Sequence, residues 1–417
     1  MGAAAMRKIM TFIRFEFLKR RRVWPVGIVA LLITISLAVG FGVQKHNQSV
    51  FVQDYSTQLK KRYPNENSLG RSELTSFQKS EAAYHDWFFK SVAVNVVLNG
   101  QGTREIPGFG VRLYARTASG ALSDAFARTY DQYRYMRQKN ITPMFPDSLV
   151  IVPVAGDLDK LSDTDKQWVM RNNPHFYVQA LPFLWSLLQS NGVVALLLAF
   201  GVLLSGGQLA KELAHKRAHS HWLTLQDEPF PAQVGIQFGM MLTTMIQVVF
   251  VPLLAVTLGI GLLFGFGDGR YPVFSYQNPD GFGSKEAIMP LSQYLTNTLS
   301  LLFLLTVFLT LVMIILSMLL RNGWLTILGT ILVVGLSLIT PPIPGLPLTY
   351  FHLNDIVTGI AQEQAGSDAL QAPAVFINLG WWCVGLLLLI ILITEWRRIV
   401  HRLQRIHLAS QKSPASL

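Results

Sequence analysis

The chain is short of cysteine, of charge and of any motif that would supply energy or catalysis. Cys383 is the only cysteine in 417 residues, so no intramolecular disulfide can form. Charged residues make up 14% of the chain, against about 25% in soluble domains. A Gly-x-x-x-x-Gly-Lys-Ser/Thr phosphate loop is missing, as are Gly-x-Ser-x-Gly and His-Glu-x-x-His. The sequence therefore argues against P-loop ATP hydrolysis and against those two hydrolase classes.

Long apolar stretches account for a hydrophobic content of 51%. A helix needs roughly 20 apolar residues to cross about 30 Å of hydrocarbon, and each stretch is close to that length or longer. The sequence therefore predicts an α-helical membrane protein with six transmembrane helices. These spans are 23–43, 178–205, 233–263, 291–320, 323–341 and 375–396.

Lys and Arg alternate between the connections that join these spans. Basic residues crowd before the first span and recur in 206–232 and in the tail 397–417, whereas 342–374 has none. Basic loops stay on the cytoplasmic side, so we expect both termini in the cytoplasm. The missing disulfide and organelle signals favour a bacterial cell membrane. A net charge of +11 suits contact with anionic membrane lipids, and we predict no nucleic-acid binding.

The segment 44–177 is long enough to form one hydrophobic core and is predicted to be an extracellular α+β domain after the first span. Apolar residues near helical spacing predict helices at Ser72–Phe89 and Ser119–Lys139. Short strands are predicted at Phe109–Arg116 and Leu149–Val154.

Two further segments are predicted to lie at or in the membrane. Residues 6–22 interleave aromatic and aliphatic side chains with Arg and Lys, which predicts an interfacial helix; an ordinary basic flank of the first span is the alternative. After the proline-rich end of the fifth span, Tyr350–Ala361 is apolar enough to re-enter the bilayer. Such backbone must be buried in protein or line a cavity, and a surface loop fits the sequence equally well. Pro252, inside the third span, predicts a kink.

The spans carry no Asp, Glu, Lys or Arg near their centres, unlike most ion-coupled transporters. Their neutral polar residues are expected to form hydrogen bonds between helices. As a set they also suit a path for an amphiphile better than a path for a bare ion. The candidates for this substrate path are Gln189, Ser190, Asn191, Thr326, Thr330 and Ser337.

The connection 206–232 contains a short charged and aromatic helix that could dock into another protein. A solvated basic loop that only orients the neighbouring spans is the alternative. His215, His219 and His221 lie close together, but no cysteine or well-placed carboxylate completes a zinc site, so we expect no metal. The candidate docking residues are Lys211, Glu212, Lys216, Arg217, His219, Ser220, Trp222, Leu223 and Leu225.

This layout resembles the ABC-2 type permeases, the membrane subunits of type II ABC exporters. In that family an elbow helix precedes six spans, as residues 6–22 could do here, and a cytoplasmic coupling segment follows the second span. Glu212, His219-Ser220, Trp222-Leu223, Leu225 and Pro229 resemble the order of that segment, except that His219 stands where glycine is common. Re-entrant helices before the sixth span and a large external domain occur in members of the family.

The resemblance implies a permease that lacks its own ATPase and exports a peptide or a hydrophobic or amphiphilic substrate. ATP and Mg would be bound by a separate ABC ATPase dimer, and a second permease copy or homologue would complete the assembly. No cofactor is expected in this chain. Two other classes compete with this reading. One is a membrane sensor with an extracellular ligand-binding domain, and the other is a membrane enzyme or secondary transporter.

Overall fold

Apolar helices dominate the computed structural model. Among the residues that the structure describes, four helices are long and apolar enough to cross a membrane, and a bent pair would make a fifth. Gly323–Ile339 is apolar but shorter. The chain is therefore an α-helical membrane protein. The structure describes residues 24–62, 71–98, 123–145, 147–152, 162–164, 166–167, 173–207, 209–210, 230–277 and 285–411.

The helices that precede the third predicted span are α1 (Trp24–Arg62), α2 (Arg71–Lys79), α3 (Glu81–Leu98), α4 (Ser123–Lys139), α5 (Ala180–Gln189) and α6 (Asn191–Ser205). The elements that follow are α7 (Phe230–Phe264), β1 (Pro272–Gln277), β2 (Lys285–Pro290), α8 (Leu291–Leu320), α9 (Gly323–Ile339), α10 (Leu353–Val357), α11 (Ile360–Ala365) and α12 (Ala372–Gln411). Single 3₁₀ turns lie at Pro347–Phe351 and Asp368–Leu370.

Helix α8 lies at the centre of the bundle and packs against α5, α6, α7, α9, α10 and α12. Leu301, Leu305 and Leu309 along it are fully buried, because apolar residues occur all round this helix and neighbours cover it. Helices α1 and α12 lie towards the edge and leave most of their apolar side chains exposed. Those outward faces have the composition expected of lipid-facing surface.

The second predicted span, 178–205, is not one straight helix. Helices α5 and α6 meet at Ser190 with a bend of 84°. Ser190 adopts an extended backbone and its side chain accepts a hydrogen bond from the Val193 amide, which starts α6 as a new helix. By contrast, Pro252 lies inside α7 without interrupting it. A membrane helix tolerates a proline when neighbouring groups satisfy the backbone carbonyl that loses its hydrogen bond.

A second domain, which we call the outer domain because it lies outside the helical bundle, contains α2, α3 and α4, whose aromatic and aliphatic side chains form a core separate from that of the bundle. The predicted helix Ser72–Phe89 is two helices, because Ser80 interrupts it and its hydroxyl accepts from the Ala83 amide to start α3. The strand predicted at Leu149–Val154 is wrong over residues 149–152, which are irregular. Asn173 takes the place of a strand partner there by bonding both the amide and the carbonyl of Leu149.

The strands of the described chain come instead from the connection between α7 and α8. Strands β1 and β2 form an antiparallel hairpin in which Val273 faces Met289. The hairpin joins the outer domain through Arg128, whose guanidinium lies 2.7 Å from the Glu286 carboxylate. Gln132 also donates to the Pro272 carbonyl. The hairpin lies between the third and fourth predicted spans, where the sequence analysis predicted no strand.

Helix α1 links the bundle to the outer domain. Near its midpoint Gln44 accepts from the Tyr177 amide, and Gln48 donates to the Phe145 carbonyl. The Lys45 ammonium lies 3.6 Å from the centre of the Phe264 ring. The first span was predicted to end at Val43. The helix instead continues to Arg62, and its second half packs against the outer domain.

Residues 342–374 fold into short helices rather than a solvated loop. Tyr350, Leu353, Ile356 and Ala361 are almost fully buried, and α10 packs against α5, α8 and α12. The segment thus meets the requirement that re-entrant backbone be buried in protein. Three other predicted features lie outside the described residues: the interfacial helix at 6–22, the strand at Phe109–Arg116 and the docking helix within 211–229.

Candidate functional site

The break between α5 and α6 is the point where the bundle departs most from simple spans. Gln189 ends α5 half-buried, Ser190 is exposed, and Asn191 begins α6 half-buried. The Ser190 amide donates to the Leu187 carbonyl, so α5 is closed by its own last turn. Ser190 therefore caps both helices, and the chain changes direction by 84° at this residue.

A bridge through His352 connects the start of α6 to α9. The Asn191 side-chain amide lies 2.9 Å from His352 Nδ1, and His352 Nε2 lies 2.9 Å from the Ser337 carbonyl oxygen. A carbonyl only accepts, so Nε2 carries the proton and Nδ1 accepts from Asn191. The Asn191–His352–Ser337 bridge thus fixes the tautomer of His352 and holds α6 against α9.

A second line of polar groups extends from His352 along α10. The Asp355 carboxylate lies 3.7 Å from His352 Nδ1 and accepts from the Asn354 amide. Asn354 in turn accepts from the Tyr294 hydroxyl of α8. Sequence analysis missed His352, Asn354 and Asp355 because it searched the spans for polar residues. The available signal was their position as a polar run within the apolar stretch 350–361.

Of the six predicted path residues, the bridge brings together Asn191 and Ser337. Thr326 and Thr330 are fully buried and donate to carbonyls of their own helix, at Asn322 and Thr326. The Ser337 hydroxyl likewise donates to Val334. These hydroxyls are satisfied within α9 and lie at its packed face, so lining a path would require α9 to separate from its neighbours.

The nine predicted docking residues lie outside the described residues. Helix α6 leads directly to them: Leu209 and Ala210, the last described residues before the gap, are buried. Gly207 lies just before them with φ of +79°, and a Cβ there would come within 2.8 Å of the Gly323 carbonyl oxygen. The end of α6 is therefore held in backbone contact with the start of α9.

The outer domain contains a separate buried polar group. Both oxygens of the Asp147 carboxylate lie 2.8 Å from His85 Nδ1, and the Tyr133 hydroxyl donates to the same carboxylate. His85 Nε2 faces Glu81 at 3.4 Å. A histidine that acts as a general base needs a nucleophile at this second nitrogen. Here a carboxylate occupies that position, so the group is structural.

Burial raises the pKa of Asp147 against the opposing hydrogen bond from His85. Burial lowers the pKa of His85, but the hydrogen bond and charge of Asp147 outweigh it, so the pKa of His85 lies above its ordinary value. Burial also raises the pKa of Tyr133. The folded domain therefore holds the proton of the His85–Asp147 pair more tightly than the unfolded chain does.

Within the described ranges, no three His, Cys, Asp or Glu side chains lie close enough together to hold a metal ion. The cluster of His215, His219 and His221 lies outside those ranges. Comparison with protein-family models, with curated proteins and with solved structures finds no match to this chain.

We expect the Asn191–His352–Ser337 bridge to appear as coupling energy in a double-mutant cycle. Asn191→Ala and His352→Leu should be non-additive by about 0.6–1.7 kcal/mol, the range for hydrogen bonds between membrane helices. The measurement is the free energy of unfolding in bicelles. Ser186→Ala is the control partner, because Ser186 bonds within its own helix at Phe183 and should add independently to His352→Leu. Additivity of Asn191→Ala with His352→Leu would contradict the bridge.

Proposed function

We propose that this chain is the permease subunit of an ATP-driven ABC exporter that moves a peptide or another amphiphilic molecule out of the cell. The observation that carries the proposal is the broken second span. Its inner half, α6, leads into the charged segment 211–225 and is separated from α5 by the 84° bend at Ser190. A helix that bends sharply away from its neighbour at one end and continues in sequence into a charged segment at the other can be moved by a partner that binds that segment.

The packing of α6 supports a route for that movement. Helix α6 packs against both α7 and α9, and the Asn191–His352–Ser337 bridge ties its first residue to α9. A partner that displaces the segment 211–225 would therefore rotate α6 about Ser190 and change the packing between α6 and α9. In this mechanism the polar side chains near Ser190 give up their hydrogen bonds within the bridge and form hydrogen bonds with the substrate.

The rest of the proposed assembly comes from the resemblance to ABC-2 type permeases. In this assembly an ABC ATPase dimer binds ATP and Mg, in keeping with a chain that carries no phosphate-binding loop, and a second permease copy or homologue supplies the other half of the path. Six spans, cytoplasmic termini and an α+β extracellular domain complete the proposed topology. The β1–β2 hairpin beside α4 supports the last of these, since it adds strands to the helical domain.

The docking segment gives the sharpest test of this function. Glu212→Ala and Trp222→Ala should leave the protein folded but reduce ATP-driven export at least tenfold, because the ATPase stroke would no longer reach α6. The measurement is transport together with ATP hydrolysis in liposomes containing permease and ATPase. Asp131→Asn, an exposed charge in the outer domain, is the matched control and should transport normally.

Two results would overturn the proposal. One is native protein that purifies from its own cells without any ATPase subunit. The other is Glu212→Ala and Trp222→Ala variants that retain normal export.

A further inference from the structure

A cavity of about 790 Å³ lies where the outer domain meets the outer ends of the first two spans. Residues 48–53 of α1 and residues 178–179, just before α5, form one side of it. Phe77 of α2, Glu81 of α3 and the irregular segment 142–145 form the other. The volume falls within the roughly 300–1,000 Å³ typical of small-molecule sites. The cavity thus joins the domain to the bundle at the point where a molecule would leave or approach the membrane.

The described walls of the cavity combine apolar surface with one acidic side chain. Val52, Phe77, Met144 and Phe145 supply the apolar part, together with neutral amides and hydroxyls. Among the lining residues that the structure describes, Glu81 alone is ionisable as an acid or a base. Its side chain is 61% exposed, so the carboxylate is accessible from the cavity. The charge at this cavity is therefore opposite in sign to the net charge of the chain, which is +11.

Glu81 is the cavity-facing member of a group that also contains His85 and Asp147. His85 lies 3.4 Å from Glu81, and its other ring nitrogen lies 2.8 Å from Asp147. Because the Glu81 side chain is 61% exposed, a positive group that pairs with it stays partly solvated, so the pair has the modest strength of a surface ion pair.

We infer that this cavity binds an apolar molecule with a single positive charge, such as a short hydrophobic peptide segment that contains lysine. The positive group pairs with Glu81, and the apolar part lies against Phe77, Met144 and Phe145. Backbone amides of a peptide find partners in Gln48 and Gln179. The inference goes beyond the export proposal, because it assigns a binding site and a ligand class to the outer domain and requires no ATPase.

The test uses the full chain in nanodiscs without any partner, so its outcome is separate from that of the export experiment. Three capped tripeptides serve as probes: Leu-Lys-Leu, Leu-Gln-Leu and Leu-Glu-Leu. Calorimetric titration should show Leu-Lys-Leu binding about two- to fivefold more tightly than the other two, the range expected of a surface ion pair. Empty nanodiscs give the contribution of lipid, which is subtracted.

Two variants locate the binding. Glu81→Gln should abolish the preference for the lysine peptide, because the cavity would lose its charge. Ser49→Trp, at an exposed position of α1 on the cavity wall, should weaken binding of the lysine peptide at least tenfold by filling the space. Asp131→Asn removes a negative charge away from the cavity lining and should change neither property. Equal binding of the three peptides, no binding above empty nanodiscs, or retention of the lysine preference in Glu81→Gln or of tight binding in Ser49→Trp would overturn the inference.

Discussion

Replacing Asp147 with Ala should destabilise the outer domain by about 3–5 kcal/mol, the usual cost of removing one member of a buried ion pair. His85 and the Tyr133 hydroxyl would both lose the carboxylate that they bond in the core. The change should appear as faster hydrogen exchange of the α3 and α4 amides, measured on the full chain. Helices α7 and α8 of the bundle, which belong to a different core, should keep their protection.

The pH dependence of the same hydrogen exchange provides a second test of the His85–Asp147 pair. The raised pKa of His85 contributes stability that is complete below about pH 6.5 and is lost as the pH rises through the folded value. The raised pKa of Asp147 adds a penalty that grows as its carboxyl loses its proton. Both effects make the wild-type domain less stable as the pH rises. In Asp147→Asn this alkaline decline should largely disappear, because burial then lowers the pKa of His85 with only Glu81 opposing it.

Asp86→Asn is the matched control, since Asp86 follows His85 on α3 but lies at the surface. Its carboxylate pairs with Lys90 and Arg137, all partly exposed. Surface pairs of this kind contribute about 0–1 kcal/mol, so exchange should change little. If Asp147→Ala were as mild as Asp86→Asn, the buried pair would not hold the domain together.

Gly207→Val should have the second large effect, about 2–6 kcal/mol of lost stability. The left-handed backbone costs a side chain roughly 1–3 kcal/mol, and forcing atoms into a packed contact costs about 1–3 kcal/mol more. A Cβ at Gly207 would meet the backbone of Gly323, which cannot rotate away as a side chain would. The free energy of unfolding in bicelles measures this loss.

Gly192→Ala tests whether any glycine of this region behaves in the same way. Gly192 lies in the first turn of α6, where a Cβ would come no closer than 3.8 Å to the Ser190 hydroxyl. Alanine is favoured over glycine in helices by up to about 1 kcal/mol, so this variant should be neutral or slightly stabilised. A similar loss in both variants would mean that the contact between α6 and α9 is not special.

The helical, membrane-embedded character of the chain was predictable because long apolar runs have one simple solution in lipid. The segment predicted as 291–320 is observed as Leu291–Leu320, since Pro290 and Asn322 mark its limits in the sequence. The break at Ser190 was not predictable from hydropathy, because apolar residues on both sides read as one span. Only the tertiary position of α10, which presents His352 to Asn191, shows what the break is bonded to.

The outer domain was less predictable, for a different physical reason. Its strands come from residues 272–290, far along the chain from the segment 44–177, and the pairing of Ser275 with Ala287 is not visible in local alternation. The candidate polar site followed the same pattern. Asn191 and Ser337 were found as polar residues in spans, whereas His352 lies in a connection and joins them through space.

Helix α1 runs unbroken from Trp24 to Arg62, about 58 Å at 1.5 Å per residue. The first half of this helix has the composition of a membrane span, and its residues 48–53 line the Glu81 cavity, so no joint separates the two environments. Residues 48–53 lie about 36–44 Å along the helix from Trp24, and a tilt of about 10° around Trp24 would displace them by about 6–8 Å. Lipid thickness and lateral pressure, which set the tilt of such a helix, therefore act on the shape of the cavity from a distance.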